Sequence, residues 1–152
     1  MKDKFRRYSL RINIKAVAKQ RSRTSRNGHH YTPKQTIDFE QKVTDSWIAK
    51  YGGLTLRTPI AIEIKFFIKR PKSHYGTGRN SNKLKPTAPR YCVKKPDNDN
   101  VEKSIWDGLN KIAYTDDSMV YKNKTTKYWC GKDVQEFILI NIFSVIISNT
   151  GV

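Results

Sequence analysis

A chain of 152 residues is long enough to bury a hydrophobic core and short enough to form one domain with one site, so residues 1–152 are read as a single unit. Thirty Lys and Arg against thirteen Asp and Glu leave a net charge of +17, which calls for a polyanionic partner. No apolar run is long enough to span a bilayer, and there is no basic amphipathic helix with an aromatic edge, so nucleic acid is favoured over a membrane surface.

The opening run Met1-Lys2-Asp3-Lys4-Phe5-Arg6-Arg7 is charged and lacks the apolar segment of a secretory signal, which implies a cytoplasmic protein. From Tyr8 to Ile14, apolar Tyr8, Leu10, Ile12 and Ile14 alternate with polar residues, the period of a strand with one buried face. A basic loop follows, carrying Lys15, Lys19, Arg21, Arg23 and Arg26 up to His29-His30. The histidine pair is either a metal ligand set or an ordinary exposed dipeptide.

Thr32-Pro33-Lys34-Gln35 predicts a helix start, with Thr32 as the cap, Pro33 at the first helical position and Gln35 closing a capping box. Phe39, Val43, Trp47 and Tyr51 give that helix an apolar face, and Gly52-Gly53 ends it. Ile60 to Ile68 alternates as a strand that Pro71 closes. The irregular segment from there to Pro96 is too long for a plain connection and so is functional or disordered; its Tyr75, Tyr91 and His74 are candidates for stacking on unpaired bases. Val101, Ile105, Leu109 and Ile112 mark one side of a second helix, with Asp97 to Asn100 offering capping side chains. Two further strands, Met119 to Trp129 and Val134 to Ile147, are separated by a turn at Gly131-Lys132-Asp133. Cys92 and Cys130 have no metal-ligand spacing and read as free thiols of a reducing compartment.

The acids are distributed anomalously. Asp97, Asp99, Glu102, Asp107, Asp116 and Asp117 crowd into one window, while Ile64 to Pro96 has no acid and is strongly basic. Carboxylates near phosphates weaken DNA affinity, so another interaction has to stabilise them. A divalent cation does so, because it is attracted both to several carboxylate oxygens and to a phosphate oxygen. The donors are Asp, with no Cys or adjacent His, which favours magnesium over zinc. On this reading Asp97 and Asp99 lie just ahead of the helix, the return segment brings Asp117 back beside them with Asp116 nearby, and Lys103 stands by the scissile phosphate. Each element also has a plainer reading: Asp97-x-Asp99 as a helix cap, Asp116-Asp117-Ser118 as a turn, Lys103 as a surface lysine, and Asp107 as its ion-pair partner.

The run Lys95-Pro96-Asp97-Asn98-Asp99-Asn100-Val101-Glu102-Lys103, then Asp107-Gly108-Leu109-Asn110, then Tyr114-Thr115-Asp116-Asp117-Ser118-Met119-Val120 resembles the signature of the RusA family of Holliday junction resolvases. Weaker likeness extends to Lys19 and Arg21, to Tyr31-Thr32-Pro33 and to Lys127-Tyr128. The resemblance implies an α+β fold, a small mixed β-sheet with two main helices packed against it, in a homodimer. It also implies symmetric cutting of four-way junctions in DNA recombination and repair, with magnesium as cofactor and manganese as a substitute. The family's metal ligands map onto Asp97, Asp99 and Asp117, and its essential lysine onto Lys103. The glycine that commonly follows the post-helix Asn is Lys111 here, so the left-handed residue of the turn is expected at Asn110.

DNA contacts are expected from Lys15, Lys19, Arg21, Arg23, Arg70, Lys72, Lys94, Lys95 and Lys127, without a small-molecule cofactor. Two other readings stay open: a basic DNA-binding protein without catalysis, and a flap or fork nuclease using the same metal site. A bacterial or phage origin would suit a protein of this kind.

Overall fold

A computed structural model describes residues 4–147; Met1 to Asp3, which begin the charged opening run, and residues 148–152 lie outside the described residues. In chain order the elements are β1 (Lys4–Ile12), two short strands β2 (Arg23–Thr24) and β3 (His30–Tyr31), α1 (Lys34–Tyr51), β4 (Ile60–Ile68), α2 (Asn98–Leu109), β5 (Val120–Trp129) and β6 (Phe137–Ile146). Single 3-10 turns occur at Lys72–His74, Gly78–Asn80 and Asp117–Met119. The four long strands make one mixed sheet in the order β1-β6-β4-β5, with β6 antiparallel to both neighbours and β4 parallel to β5. The fold is α+β, with α1 and α2 packed on one face of this sheet.

Alternation decides which side chains face the helices. Ile60, Ile62, Ile64 and Phe66 of β4 and Ile138, Ile140 and Ile142 of β6 are at most 2% exposed. They meet Phe39, Val43 and Trp47 of α1 and Val101, Ile105 and Leu109 of α2. Each such side chain contributes about 1.5 to 3 kcal/mol of burial, so this layer dominates the stability. The Trp47 indole N–H is satisfied by the Leu54 carbonyl at 2.9 Å.

Four sequence expectations are corrected. The basic stretch read as a loop carries the short β2–β3 hairpin, with Arg23 opposite Tyr31 and Thr24 opposite His30. β5 and β6 are separated by the expected turn but do not pair, because β4 lies between them. As the strand with the most deeply buried face, β4 takes a central position, where both backbone edges are paired. Helix α1 starts one residue later than expected: Pro33 is its cap and no side chain bonds the first turn. Gln35 accepts instead from Gln20 at 3.2 Å, and the Thr36 hydroxyl accepts from the Gln20 N–H at 3.4 Å, so these residues tie the early basic loop to the helix. Ile112 lies beyond the end of α2, half-buried in the following turn. The other end of α1 follows its glycine signal, with Gly52 at φ 62° donating to the Ile48 carbonyl at 2.8 Å.

Packing between the two helices depends on Gly108. A Cβ there would lie 2.8 Å from the Glu40 carbonyl oxygen and 2.9 Å from the Val43 Cβ. Without it α1 approaches closely enough for the Thr44 hydroxyl to donate to the Gly108 carbonyl at 2.6 Å. This contact fixes where α2 sits, and α2 carries the acidic residues.

Candidate active site

The segment entering α2 is held against the far end of β5. The Cys92 N–H donates to the Lys127 carbonyl and the Trp129 N–H to the Arg90 carbonyl, which extends the edge of the sheet. The Lys127 ammonium donates to the carbonyls of Lys94 at 2.5 Å and Pro96 at 2.7 Å. One turn into the helix, the Glu102 carboxylate accepts from the Thr125 hydroxyl at 2.5 Å and from the Asn123 amide. These polar anchors position the start of α2 while leaving Asp97, Asp99 and Lys103 exposed.

Asp97 is the cap residue of α2 and its carbonyl accepts from Val101 at 3.2 Å, but its carboxylate makes no capping bond. Asp99 is in the first turn. Both anions therefore lie at the positive end of the helix dipole with their oxygens unspent on capping. Lys103 follows Asp99 by four residues, on the same helical face.

Beyond α2 the chain turns through Lys111, which takes the left-handed conformation at φ 62°, while Asn110 stays at φ −59°. The expectation that Asn110 would be left-handed is thus corrected. Asn110 donates its N–H to the Trp106 carbonyl at 2.7 Å, a helix-ending bond that holds it at negative φ and passes the reversal to the next residue. Asp116 then caps the 3-10 turn by accepting from the Ser118 N–H at 2.9 Å, and that bond holds its carboxyl below the ordinary range. Asp117 is half-buried, and its Oδ1 is buried with no hydrogen-bond partner, as is Asn110 Oδ1. Burial, reinforced by the charges of Asp107 and Asp116 and partly offset by Tyr114, holds the Asp117 carboxyl above the usual value. Burial and the neighbouring Asp117 likewise push the Tyr114 phenol upward.

Among the described residues, no three His, Cys, Asp or Glu side chains gather closely enough to hold a metal ion. The convergence expected from the sequence is therefore not seen in the isolated chain. Asp117 has Asp107 and Asp116 as its acidic neighbours. Asp107 lies eight residues after Asp99 on the helix, or about 12 Å along its axis at 1.5 Å per residue. The donor chemistry nevertheless fits a divalent cation: hard carboxylate oxygens, two of these residues free at a helix start and one with a buried oxygen lacking a partner.

The basic residues divide into two groups. Lys15, Arg21, Arg23, Lys72, Lys94 and Lys95 are exposed and available to phosphates. Lys15 and Lys72 line a cleft of about 770 Å³ with Lys69, Arg70 and Lys132. Three others have structural partners. Lys19 bridges Glu40 at 2.7 Å and Asp107 at 2.5 Å, so Asp107 pairs with Lys19 rather than with Lys103. Arg70 donates to the carbonyls of Cys130 at 3.0 Å and Pro89 at 2.8 Å, and Lys127 pins the loop before Asp97. His29 and His30 are exposed, with His30 Nδ1 3.0 Å from the Thr24 hydroxyl across the β2–β3 hairpin.

Sequence reasoning missed the anchoring role of Glu102, the Glu40–Lys19–Asp107 bridge and the partnerless oxygen of Asn110. No local pattern signals any of them, because each depends on elements distant in the chain.

A relative from Bacillus subtilis (strain 168), Uncharacterized protein YqaN, is 33% identical over 119 residues, covering 74% of this chain and 81% of that protein. The model of the family Endodeoxyribonuclease RusA matches residues 13–140, a span that takes in both helices and every residue weighed above for metal or DNA. With most of its length matched, the chain belongs to the Endodeoxyribonuclease RusA family.

Proposed function

We propose that this chain is a magnesium-dependent, structure-selective endonuclease that resolves four-way DNA junctions by paired symmetric cuts. The observation that carries this reading is the set of carboxylates around α2 in a chain of charge +17, two of them uncapped at the helix start and Asp117 with a buried oxygen left without a partner. A protein that only bound DNA would gain nothing from such a set.

Asp97, Asp99 and Asp117, with Asp116 beside it, are the residues that would hold the cation, Asp117 and Asp116 only on being drawn toward the helix start from the separation seen here, and manganese would substitute for magnesium. Bound there, the ion supplies Lewis-acid stabilisation of the phosphate and lowers the pKa of water. In the overall hydrolysis a water oxygen bonds to phosphorus, the bond to the 3′ oxygen breaks, and the departing oxygen takes up a proton, which leaves a 5′ phosphate. Lys103 adds positive charge where negative charge builds up. Lys127 and Glu102 act indirectly, by fixing the start of α2 against β5. Two equivalent cuts call for a twofold homodimer, whose isologous interface presents identical sites to equivalent phosphates. Phosphate contacts from the exposed lysines and arginines make affinity fall steeply with salt.

The test is incubation of a labelled four-way junction with wild type and with Asp99→Asn, with and without magnesium. Wild type should nick the junction symmetrically only with the ion, and the variant should bind it at least as tightly without cutting. Binding without nicks by wild type would identify a non-catalytic DNA-binding protein. Cleavage of flaps or forks in preference to junctions would redirect the substrate assignment. Asp117→Asn examines the ligand set separately: undiminished cleavage would restrict it to the α2 start.

A further inference from the structure

The helices cover one face of the sheet, and the other face has an organisation of its own. Phe137 of β6, Phe67 of β4 and Tyr128 of β5 are cross-strand partners in a single row, which Tyr91 continues through its bridge to Tyr128. The Phe67 and Phe137 rings are stacked at 4.3 Å and 8°, and Phe67 and Tyr128 at 5.2 Å and 20°. Tyr91 lies 5.5 Å from Tyr128. A guanidinium stands at each end: Arg11 is 3.9 Å from the Phe137 ring centre, and Arg90 is 5.7 Å from both Tyr91 and Tyr128.

Cross-strand aromatic pairs stabilise a sheet, and that alone would account for Phe67 and Phe137. It does not account for Tyr91, 53% exposed at the open end of the row. The charges of the whole face, with Arg11 and Lys65 within two residues of the row and Arg7, Lys122 and Lys124 farther along the strands, point to its occupant. In the strand register Arg7, Arg11, Lys65, Lys122 and Lys124 share this face with a single acid, Glu63, which sits 3.5 Å from Lys65. A second copy laid face to face would set these cations against one another, whereas a polyanion is attracted to them. Rings flanked by cations suit a strand whose bases are unpaired, because every base offers a π-face and the backbone needs neutralising. Tyr91 also lies on the segment that Lys127 pins ahead of Asp97, so this face leads along the chain toward the candidate catalytic residues.

We propose that the row Phe67–Tyr128–Tyr91 is a stacking platform for unpaired nucleobases, a second nucleic-acid surface across the sheet from α2. It rests on the nucleic-acid reading above but not on the metal site, so its test is equilibrium binding without divalent ions. The probes are fluorescein-labelled oligothymidine and a fully paired duplex of the same length. Tyr91→Ala should weaken oligothymidine binding about tenfold and change duplex binding less than about twofold, while Tyr91→Phe keeps near-wild-type affinity. Because Tyr91 is exposed, its loss should leave the fold intact, which a matched thermal melt checks. Equal weakening of both probes, or of neither, would overturn the platform, as would sedimentation showing that Tyr91→Ala splits a dimer. If wild type binds neither probe, the nucleic-acid reading fails with it; if it binds the duplex but Tyr91→Ala matches wild type on oligothymidine, only the platform fails.

Discussion

At its first turn α2 is held to the sheet by polar contacts from Glu102, Thr125 and Lys127 that leave Asp97, Asp99 and Lys103 in solvent. Toward its other end the helix is close-packed, with Ser104, Ile105 and Leu109 at 0% exposure and Gly108 against the α1 backbone. Hydrogen bonds and an exposed surface serve the chemistry, while close packing serves the fold. The two kinds of contact differ in what a substitution can disturb. Losing a carboxylate at the exposed end removes a function with little change in stability, whereas adding a single carbon at the packed end costs stability directly.

The largest expected effect is therefore at the exposed end. Asp99→Asn should lower magnesium-dependent cleavage by on the order of a thousandfold in single-turnover assays, with the thermal midpoint almost unmoved. A comparable drop in stability would mean that the helix start is not the independent unit described here. At the packed end, Gly108→Val should cost about 3 kcal/mol in urea denaturation, because the added carbons meet the Glu40 carbonyl and Val43. Unchanged stability would show that the helices can separate without penalty.

Lys19 belongs to the packed end by position, yet its contacts are polar. Lys19→Met should cost about 1 kcal/mol, the range of a partly exposed ion-pair network. Burial works against the charge of Lys19, but the hydrogen bonds it donates to Asp107 and Glu40, with their negative charges, leave its pKa raised above 10.5. The stability these pairs contribute is thus complete below pH 10.5 and is lost only as pH rises through the higher folded-state value. Wild type and variant should differ by a constant amount through neutral pH and converge in strong alkali, as followed by denaturant midpoints.

The smallest effect has the opposite sign. Lys111 sits at φ 62°, where a side chain costs about 1 to 2 kcal/mol and glycine costs only its extra unfolded-state entropy, about 0.5 to 1 kcal/mol. Lys111→Gly should raise stability by roughly 0.5 kcal/mol. A loss would indicate that the lysine side chain contributes a contact that offsets the strain.

Much of the architecture could be read before any coordinates. The four-residue spacing of Phe39, Val43 and Trp47 and the alternation of Ile60, Ile62, Ile64 and Phe66 report faces that every helix or strand of that sequence must bury. The acidic blocks were equally legible as candidates, because their types and spacing stand out in a basic chain. Their environment was not. The expected pairing of Asp107 with Lys103 follows from helical spacing alone, but the lysine that reaches Asp107 comes from the early loop. The expected left-handed Asn110 follows from residue preference, and the local backbone overrules it at Lys111.

By itself the sequence determined the two helices, the four long strands, the buried faces and the residues able to carry the chemistry, since these follow from periodicity and side-chain type within a few positions. Only the tertiary structure decided that β4 separates β5 from β6, that Lys19, Arg70 and Lys127 have structural partners, and that an aromatic row crosses the uncovered face. Those outcomes depend on contacts such as Glu102 to Thr125, 23 residues apart, and Lys127 to Pro96, 31 apart. Such contacts form because burying the core brings distant segments together, and short-range pattern carries no record of which segments will meet.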